Sequence, residues 1–275
     1  MIKELPFSVL ISVYEKENEN YLNDALLSIE HQTVKPDEII IVEDGPLPSR
    51  LTKVISNYKN LTAISVKSIK LKKNHGLGYA LRYGVNGASY NLIARMDSDD
   101  ICVPDRFENQ LRAFKEDNQL VLIGGQVDEF SRNIENIVSK RWVPSSMEEI
   151  KNFMKYRNPF NHPTVMFKKN EILNSGNYHQ IQGFEDYDLW ARVVAKGYKC
   201  INSDKIMVHM RIDDGLYSRR GGLVYFFRYL KLRSSLKREA IINNKEMVNG
   251  DFLMLVNILL PVKIRQYIYK RFLRK

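Results

Sequence analysis

Short β-rich runs alternate with longer segments of helical period from the N-terminus onward, and this alternation limits the folds open to the chain. Phe7 to Val13 predicts a buried strand, Asn20 to Gln32 a helix with one apolar face, and Glu38 to Val42 the next strand. The alternation continues to a strand over Asn91 to Met96. Such repeats are typical of a sheet covered by helices on both faces, so we predict an α/β fold with a mostly parallel central sheet.

The second half of the sequence mixes helices with β-like runs in a less regular order. A polar Ser-Arg-Asn turn divides Val127 to Trp142 into two such runs, which predicts a hairpin. The other predicted elements are helices over Arg50 to Tyr58, Gly76 to Ala88, Asp105 to Glu116, Ser146 to Tyr156 and Asp186 to Lys196, and strands over Thr62 to Ser68, Leu120 to Gly125 and Thr164 to Phe167. Because no linker interrupts them before about Tyr217, we predict one domain over residues 1–216.

Residues 217–275 carry the whole excess of positive charge. They hold 14 lysines and arginines against 3 acidic residues, whereas residues 1–216 hold 28 against 29. Apolar residues recur at helical spacing at the start of this segment, namely Leu223, Phe226, Phe227 and Leu230. The later apolar run, Phe252 to Leu260, is too short to span a bilayer.

This composition predicts amphipathic C-terminal helices that bind an anionic membrane surface. Packing of these helices on the body of the protein or on a second subunit is the alternative. Nucleic acid is not an expected partner, because no recognition motif accompanies the charge and the apolar content exceeds what phosphate binding needs.

Cysteine usage and the N-terminus indicate a reducing compartment. Cys102 and Cys200 are far apart and form no Cys-X-X-Cys pattern, so neither a disulfide framework nor a zinc site is expected. The first ten residues contain no apolar core and cleavage site of a secretory signal. We therefore expect a cytoplasmic protein, peripheral on the inner face of the plasma membrane.

Three carboxylates follow the strand that ends at Met96, in the run Asp97-Ser98-Asp99-Asp100. Ligands of open parallel α/β sheets bind beyond the carboxyl ends of the strands, and carboxylates gathered there repel one another unless a cation lies among them. A hard ion such as Mg²⁺ or Mn²⁺ suits one or two carboxylates together with substrate phosphates. The alternative is that these residues only cap the following helix.

Two other strand ends point to the same edge of the sheet. Ser12 to Glu15 ends the first strand, and Glu43-Asp44-Gly45-Pro46 ends the second. A carboxylate there can accept the imide hydrogen of uracil or thymine, although Asp-Gly-Pro alone is more often a turn. A further acidic group, Glu185 and Asp186, opens an apolar-periodic helix, where the helix dipole favours negative charge whether or not the residues have a function.

Four runs in this order resemble glycosyltransferase family 2: VLISVYEKEN, HQTVKPDEIIIVEDGP, NHGLGYALRYG and LIARMDSDD. The similarity continues through RNPFNHPTVMF, GFEDYDLWARVVAKGY and MRIDDGLYSRRGG, so it covers nearly the whole chain. The resemblance implies the GT-A fold, a Rossmann-like α/β architecture, and is greatest to the bacterial branch that builds exopolysaccharide and capsule. It also implies an inverting, metal-dependent enzyme that moves a sugar from a UDP- or dTDP-sugar to a lipid-linked saccharide.

The resemblance assigns roles to individual residues. Asp97 and Asp99 would hold Mn²⁺ or Mg²⁺ and the diphosphate, with Asp100 as a helper. Asp186 would be the general base that deprotonates the acceptor hydroxyl, and Glu185 would bind donor or acceptor. The remaining nucleotide contacts that the resemblance implies are Ser12, Tyr14 and Glu15 on the first strand end, either Glu43 or Asp44 on the second, and Asn74 and Gly76 in the loop near the ribose and phosphates. Arg219 and Arg220 would close over the diphosphate or, alternatively, only begin the basic tail.

Two other functions remain open at this level. A nucleotidyltransferase also uses a parallel sheet and acidic metal ligands, but its first loop is usually rich in glycine and basic residues, whereas Tyr14 to Glu17 is acidic. A non-catalytic membrane scaffold on the same fold is the other alternative. His162 and His209 are interpreted as packed, hydrogen-bonded side chains, with His209 a possible extra metal ligand, and Trp190 is predicted to lie in the core.

Overall fold

A computed structural model describes residues 5–212, 222–261 and 264 of the chain. Its strands are β1 (Phe7–Val13), β2 (Glu38–Glu43), β3 (Ser65–Lys70), β4 (Leu92–Met96), β5 (Ile101–Cys102), β6 (Leu120–Phe130), β7 (Ile137–Arg141), β8 (Met166–Lys168) and β9 (Lys199–Arg211). Its α-helices are α1 (Glu19–Glu30), α2 (Ser49–Leu61), α3 (Leu77–Gly87), α4 (Arg106–Glu116), α5 (Met147–Met154), α6 (Lys169–Asn174), α7 (Glu185–Ala195), α8 (Leu223–Arg238) and α9 (Asn244–Leu259).

The strands form one mixed sheet in the order β3-β2-β1-β4-β8-β6-β9-β5, with β7 paired to β6. The first four strands in this order pair in parallel, as the strand–helix alternation predicts. The centre of the sheet changes direction at β8, which is antiparallel to both β4 and β6. A parallel half of the sheet is thereby joined to a mixed half.

Two apolar clusters cover the two faces of the sheet. On one face, β1 and β2 pack against α1, α2 and α4 through Leu22, Leu26, Leu51, Ile55, Phe107 and Leu111. On the other face, they pack with α3, α5, α7 and α8 through Ala80, Leu81, Ile150, Leu189, Trp190, Leu232 and Leu236. The prediction of an α/β sheet with helices on both faces is therefore confirmed, as is the position of Trp190 in the core.

Three elements were not predicted from the pattern: β5, α6 and β9. The longest of them, β9, contains the polar stretch Asn202 to Lys205, which hides the strand alternation. Pairing along most of β6 holds this segment in the sheet despite its composition, because tertiary context overrides weak local propensity. The hairpin prediction is confirmed, with β6 running without a break from the predicted strand into the first arm.

Helix α8 is part of the body. Its buried residues are Tyr229, Leu232, Arg233, Ser235 and Leu236. Of the four apolar residues predicted to share a face of this helix, Leu223 and Phe227 are exposed, while Phe226 and Leu230 are half-buried. The later residues Leu232 and Leu236 join the core instead. Ser235 also donates a hydrogen bond of 2.5 Å to the buried carboxylate of Asp188 on α7.

By contrast, none of the residues of α9 is buried. Among the described residues, no helix combines the length and the apolar character that crossing a bilayer requires. The division of the chain near residue 217 stays a prediction. Cys102 and Cys200 are free and buried, as expected of cysteines outside a disulfide framework.

We expect Leu232→Ala to lower the free energy of unfolding by about 2–5 kcal/mol, because it leaves a cavity where α8 meets the core. Phe227→Ala, on the exposed face of the same helix, should change it by no more than about 0.5 kcal/mol. Urea denaturation followed by the fluorescence of buried Trp190 measures both. Equal, small effects of the two substitutions would show that α8 does not unfold with the sheet.

Candidate active site

The strand ends meet at one edge of the sheet. In the parallel register, Val13 lies beside Glu43 and Glu43 beside Lys70, while Ile11 lies beside Met96. The residues that follow β1, β2 and β4 therefore emerge side by side. This is the edge at which ligands bind in open α/β sheets, and the expected convergence of the acidic motifs is present.

The acidic cluster beyond β4 consists of Asp97, Asp99 and Asp100. One carboxylate oxygen from each lies within 4.8 Å of those of the other two. Asp97 is paired with Arg95 on β4. Arg95 Nη1 donates a hydrogen bond of 2.6 Å to Asp97 Oδ2, and Arg95 Nη2 donates one to Asp97 Oδ1. The Arg95 side chain is only 2% exposed, so Asp97 partly balances a buried positive charge.

The other two carboxylates of the acidic cluster lack such a partner. Burial and the nearby charges of Asp97 and Glu17 raise the pKa of Asp99 to about 7. Burial and the charges of Asp99 and Asp97 raise the pKa of Asp100 well above its ordinary value. Asp100 Oδ2 is buried and accepts no hydrogen bond from the residues that the structure describes. An uncompensated buried oxygen among like charges is the environment that a divalent cation relieves.

Two residues that the sequence analysis did not single out shape this cluster. Glu17 accepts a hydrogen bond from Ser98 and adds a further negative charge beside Asp99. Arg211, at the end of β9, donates its backbone N–H to Asp100 Oδ1 at 2.8 Å and its Nε to the Asp99 carbonyl at 3.0 Å. Arg211 lies in the run MRIDDG, which the sequence analysis noted. Its contacts with Asp99 and Asp100 could not be predicted, because these residues lie far away in the sequence.

The end of β2 holds the loop before α3. Asp44 Oδ1 accepts the N–H of His75 at 2.8 Å and Oδ2 accepts the N–H of Gly76 at 2.9 Å. Gly45 has a φ of 93°, and a Cβ there would lie 2.7 Å from the backbone nitrogen of Asn74. The Asp-Gly pair is thus both a turn and the support of the loop. Glu43 is buried beside it, with Lys70 Nζ 3.8 Å from Oε2.

The residues that follow β1 line the same edge. Ser12 is half-buried on the strand, whereas Tyr14 and Glu15 are exposed just beyond it. Arg50 on α2 donates to the carbonyls of Glu15 and Glu17, at 3.1 and 2.9 Å, and so fixes the turn after β1. The position suits a nucleotide contact. Arg219 and Arg220 lie outside the described residues.

The first turn of α7 contains the second pair of carboxylates. Asp186 Oδ2 accepts a hydrogen bond of 2.6 Å from Asn158 Nδ2, and Oδ1 accepts the N–H of Tyr187 at 2.8 Å. Burial raises the pKa of Asp186, while the hydrogen bond from Tyr187 and the charges of Arg141 and Arg95 oppose the shift. These contacts fix the carboxylate in one orientation.

Glu185 turns to a different environment. Burial, reinforced by the charge of Asp186, raises the pKa of Glu185 to about 7, although nearby backbone N–H groups oppose the shift. Its Oε2 is buried without a hydrogen-bond partner. Glu185 lines a cavity of about 390 Å³ together with Asn74, His75, Gly76, Leu77, Gly78, Tyr79, Gln180, Ile181 and Gln182. The structure therefore brings Asn74 and Gly76 together with Glu185.

The histidines have the packed, hydrogen-bonded environments expected of them. His162 Nε2 lies 2.9 Å from the hydroxyl of Tyr178, and burial lowers the pKa of His162 well below its usual value. His209 Nδ1 lies 2.6 Å from Asp128 Oδ1, which occupies that nitrogen. His209 does not belong to the acidic cluster defined above.

Solved structures share this architecture. The chain superposes on S. aureus TarS residues 1–349 with a TM-score of 0.67 at 14% identity, covering 96% of this chain and 78% of that one. It superposes on a mannosyltransferase from Pyrobaculum calidifontis, solved with GDP-Man and Mn²⁺, with a TM-score of 0.65 at 11% identity, covering 97% and 80%. At these identities the likeness concerns the fold, and these GT-A neighbours confirm the expected fold class.

Sequence comparison gives the family. The chain is 38% identical to an uncharacterised glycosyltransferase of Haemophilus influenzae, over 98% of this chain and 100% of that protein. It is 36% identical to UDP-Gal:alpha-D-GlcNAc-diphosphoundecaprenol beta-1,3-galactosyltransferase of Escherichia coli, over 98% and 97%, and 34% identical to the amylovoran biosynthesis glycosyltransferase AmsE of Erwinia amylovora, over 96% and 98%. The model of glycosyl transferase family 2 matches residues 8–175. With the acidic edge of the sheet and the GT-A architecture, these matches show that the chain belongs to glycosyltransferase family 2.

Proposed function

We propose that this glycosyltransferase moves a sugar from a nucleoside diphosphate to an acceptor hydroxyl with inversion, using Asp186 as general base and a divalent cation at the acidic cluster. The observation that carries the proposal is the separation of two kinds of carboxylate at one sheet edge. Asp99 and Asp100 lie close together after β4, and a buried oxygen of Asp100 has no partner among the described residues. Asp186 lies on α7 instead, and two hydrogen-bond donors fix its orientation. The first arrangement suits a cation, and the second suits a proton acceptor.

The residues of the acidic cluster fit a hard cation. Three carboxylates supply the oxygen ligands that Mg²⁺ and Mn²⁺ prefer, and no donor among the described residues reaches Asp100 Oδ2. Asp97 and Asp99 would hold the ion, with Asp100 as a helper. When bound there, the ion would neutralise charge on the departing diphosphate.

Asp186 acts on the hydroxyl group of the acceptor. The oxygen of this hydroxyl attacks the anomeric carbon on the side opposite the diphosphate, and the bond from that carbon to the diphosphate oxygen breaks. The hydroxyl proton passes to a carboxylate oxygen of Asp186. Asn158 and the Tyr187 N–H each use only one lone pair of that carboxylate, so further lone pairs are free. Since the raised pKa of Asp186 strengthens it as a base, it accepts the proton more readily once ionised. Transfer should slow as the pH falls through that pKa.

The donor nucleotide lies, in this proposal, along the ends of β1 and β2. Ser12, Tyr14 and Glu15 border the site on one side, and either Glu43 or Asp44 contacts the base of a UDP- or dTDP-sugar. Support comes from the loop that contains Asn74 and Gly76, because Asp44 accepts the N–H groups of His75 and Gly76 and so holds this loop at the end of β2. We also propose that Arg219 and Arg220 close over the diphosphate.

The acceptor is proposed from the relatives and from the surface of α9. AmsE is named for amylovoran biosynthesis, and the Escherichia coli relative is named for a lipid-linked GlcNAc acceptor. We propose a lipid-linked saccharide of surface polysaccharide here as well. Exposed apolar residues recur along α9, namely Val248, Phe252, Val256 and Leu259. With the basic residues of the C-terminal segment, this row would lie on an anionic membrane at the inner face of the plasma membrane.

Asp99→Asn should stabilise the protein at pH 8 without metal and abolish the stabilisation by Mn²⁺ with UDP. Because folding raises the pKa of Asp99 from about 4 to about 7, the native state binds more protons between these values, and stability falls as pH rises through that window. Thermal shifts at pH 5, 6, 7 and 8, with and without Mn²⁺ and UDP, measure both effects. Asp105→Asn, an exposed carboxylate, is the matched control. A full Mn²⁺-dependent shift in Asp99→Asn would contradict the metal assignment.

Asp186→Asn should keep the donor affinity of the native protein and lower kcat by about 10²–10⁴-fold, because only proton acceptance is lost. The assay uses a panel of UDP- and dTDP-sugars with GlcNAc-diphospholipid as acceptor, and NMR of the product reads the anomeric configuration. Retention of the anomeric configuration of the donor in the product, or unimpaired transfer by Asp186→Asn, would contradict this mechanism. Release of diphosphate from a nucleoside triphosphate and a sugar phosphate would instead favour a nucleotidyltransferase. Absence of metal-dependent donor binding would favour a non-catalytic scaffold.

Phe252→Glu combined with Leu259→Glu should lower partition onto phosphatidylglycerol vesicles by at least about tenfold, because two apolar contacts are replaced by charges that the lipid repels. Flotation with phosphatidylglycerol and phosphatidylcholine vesicles at low and high salt measures it. Leu61→Glu, on the exposed end of α2, is the control and should partition like the native protein. Equal binding of the native protein to both lipids would overturn the anionic-surface assignment.

A further inference from the structure

Three aromatic rings lie in contact at the start of α3, beside the cavity that Glu185 lines. The centroids of His75 and Tyr79 are 4.1 Å apart with the rings stacked, and those of Tyr79 and Tyr83 are 4.7 Å apart with the rings tilted by 31°. The Tyr79 hydroxyl donates a hydrogen bond of 3.0 Å to that of Tyr83. Tyr79 and Tyr83, four residues apart, lie on one face of α3, and His75 lies just before the helix; we call the three side chains the aromatic row.

The aromatic row is not part of the core. The buried residues of α3 are Gly78, Ala80, Leu81, Gly84 and Val85, which pack against the sheet on another face of the helix. Tyr83 is 42% exposed, and neither tyrosine is among the buried residues of the apolar clusters. Stacking has nevertheless ordered the rings, so a ligand that contacts them need not freeze flexible side chains.

The rest of the cavity lining is mostly polar. It includes Gln180, Gln182 and Glu185, and Glu185 is 6% exposed and has a buried oxygen without a partner among the described residues. Helix α3 approaches the segment before α7 closely at Gly78, where a Cβ would lie 2.8 Å from the carbonyl oxygen of His179 and 3.1 Å from the Cβ of Glu185. The cavity is thus lined by two aromatic rings, by amides and by a carboxyl group.

The chemistry of the lining selects a neutral, hydroxyl-rich ligand. Among the described residues, those that line the cavity include no lysine or arginine, so a diphosphate would find little counter-charge beside the carboxyl group of Glu185. In this proposal the donor diphosphate therefore lies outside the cavity, on the side of the Asn74 and Gly76 loop that faces the strand ends. A pyranose ring supplies hydroxyl groups for the carboxyl and amide groups and C–H edges, which are attracted to aromatic surfaces. The cavity has a volume of about 390 Å³, which lies within the usual range for small-ligand sites.

We propose that this cavity and the aromatic row bind the sugar end of the acceptor saccharide, with the terminal ring between Tyr79 and Gln182 and the next ring along Tyr83. The extent of the row favours the acceptor over the donor sugar. Each four-residue step along α3 advances about 6 Å, so Tyr83 lies a further step from the cavity, where a donor with a single sugar has nothing to place. Asp186, the proposed base, directly follows Glu185 in the first turn of α7 but is not among the residues that line the cavity, so the acceptor hydroxyl would have to extend from the cavity toward Asp186. This proposal rests on the proposed function, because it assumes a saccharide acceptor.

Saturation-transfer NMR with methyl glycosides of common hexoses and N-acetylhexosamines, and with the corresponding disaccharides, tests the site in the presence of Mn²⁺ and UDP. Tyr79→Ala should weaken binding of a saccharide that binds the native protein by about tenfold, and Tyr79→Phe should retain most of it because the ring remains. Tyr83→Ala should reduce the affinity for disaccharides but not for monosaccharides. Tyr156→Ala, an exposed tyrosine elsewhere, should change neither.

Other outcomes separate the possibilities. Failure of every saccharide in the panel to bind the native protein, while UDP and Mn²⁺ bind, would overturn the acceptor site and leave the proposed function standing. A loss in Tyr79→Ala of the extra affinity of UDP-sugars over UDP, measured by calorimetry, would assign the cavity to the donor sugar instead. Failure of the native protein to bind UDP or dTDP with Mn²⁺ would contradict the proposed function itself, whatever the saccharides do.

Discussion

Repulsion among the carboxylates beyond β4 is the constraint on which the rest of the site depends. The chain keeps Asp99 and Asp100 together by contacts from outside their own loop, chiefly those of Arg211 at the end of β9. Arg95 takes one unit of negative charge by pairing with Asp97, but it leaves the other two without a cation. A buried ion pair of this kind is weak evidence for stability, and an unsatisfied carboxyl oxygen is a cost. The arrangement is therefore understood as a site shaped for its ligand.

The helix that carries Asp186, the proposed base, is fixed from a different direction. Asp188, fully buried on α7, accepts hydrogen bonds from Arg192 and from Ser235 of α8 and lies 3.0 Å from His179 Nδ1. One carboxylate thereby joins α7, α8 and the loop that lines the cavity. Helix α8 thus supports the helix that carries Asp186. The sequence did not indicate this role, because this segment was interpreted as the beginning of a basic tail. Any displacement of α8 would be transmitted to the base and to the cavity wall through this single buried group.

The parallel half of the fold and the acidic edge could be predicted because local sequence determines them. The strand runs at β1, β2 and β4 are buried on both faces and end directly in polar motifs, so period and position were visible in the chain itself. The antiparallel half was less accessible, since β9 takes its conformation from pairing with β6 across a long sequence separation. For the same reason Arg211 and Glu17 were missed, because each contacts the acidic cluster from a distant segment. Packing of α8 on the body was one of two alternatives that the sequence left open, because its buried face is set by contact with α7.

The proposed separation of the cation site from the proposed base has a chemical reason. A cation close to Asp186 would lower its proton affinity and weaken it as a base, whereas the acidic cluster needs a cation for its carboxylates to be ionised together. Asp186 does not belong to the group of three carboxylates whose oxygens converge, and its own orientation comes from a neutral amide and a backbone N–H. The buried Arg95 is the fixed charge that acts on both, by pairing with Asp97 and by opposing the rise in the pKa of Asp186. Replacing Asp97 would therefore change the field at the base as well as the charge at the metal site, so loss of activity in an Asp97 variant would not by itself identify a metal ligand.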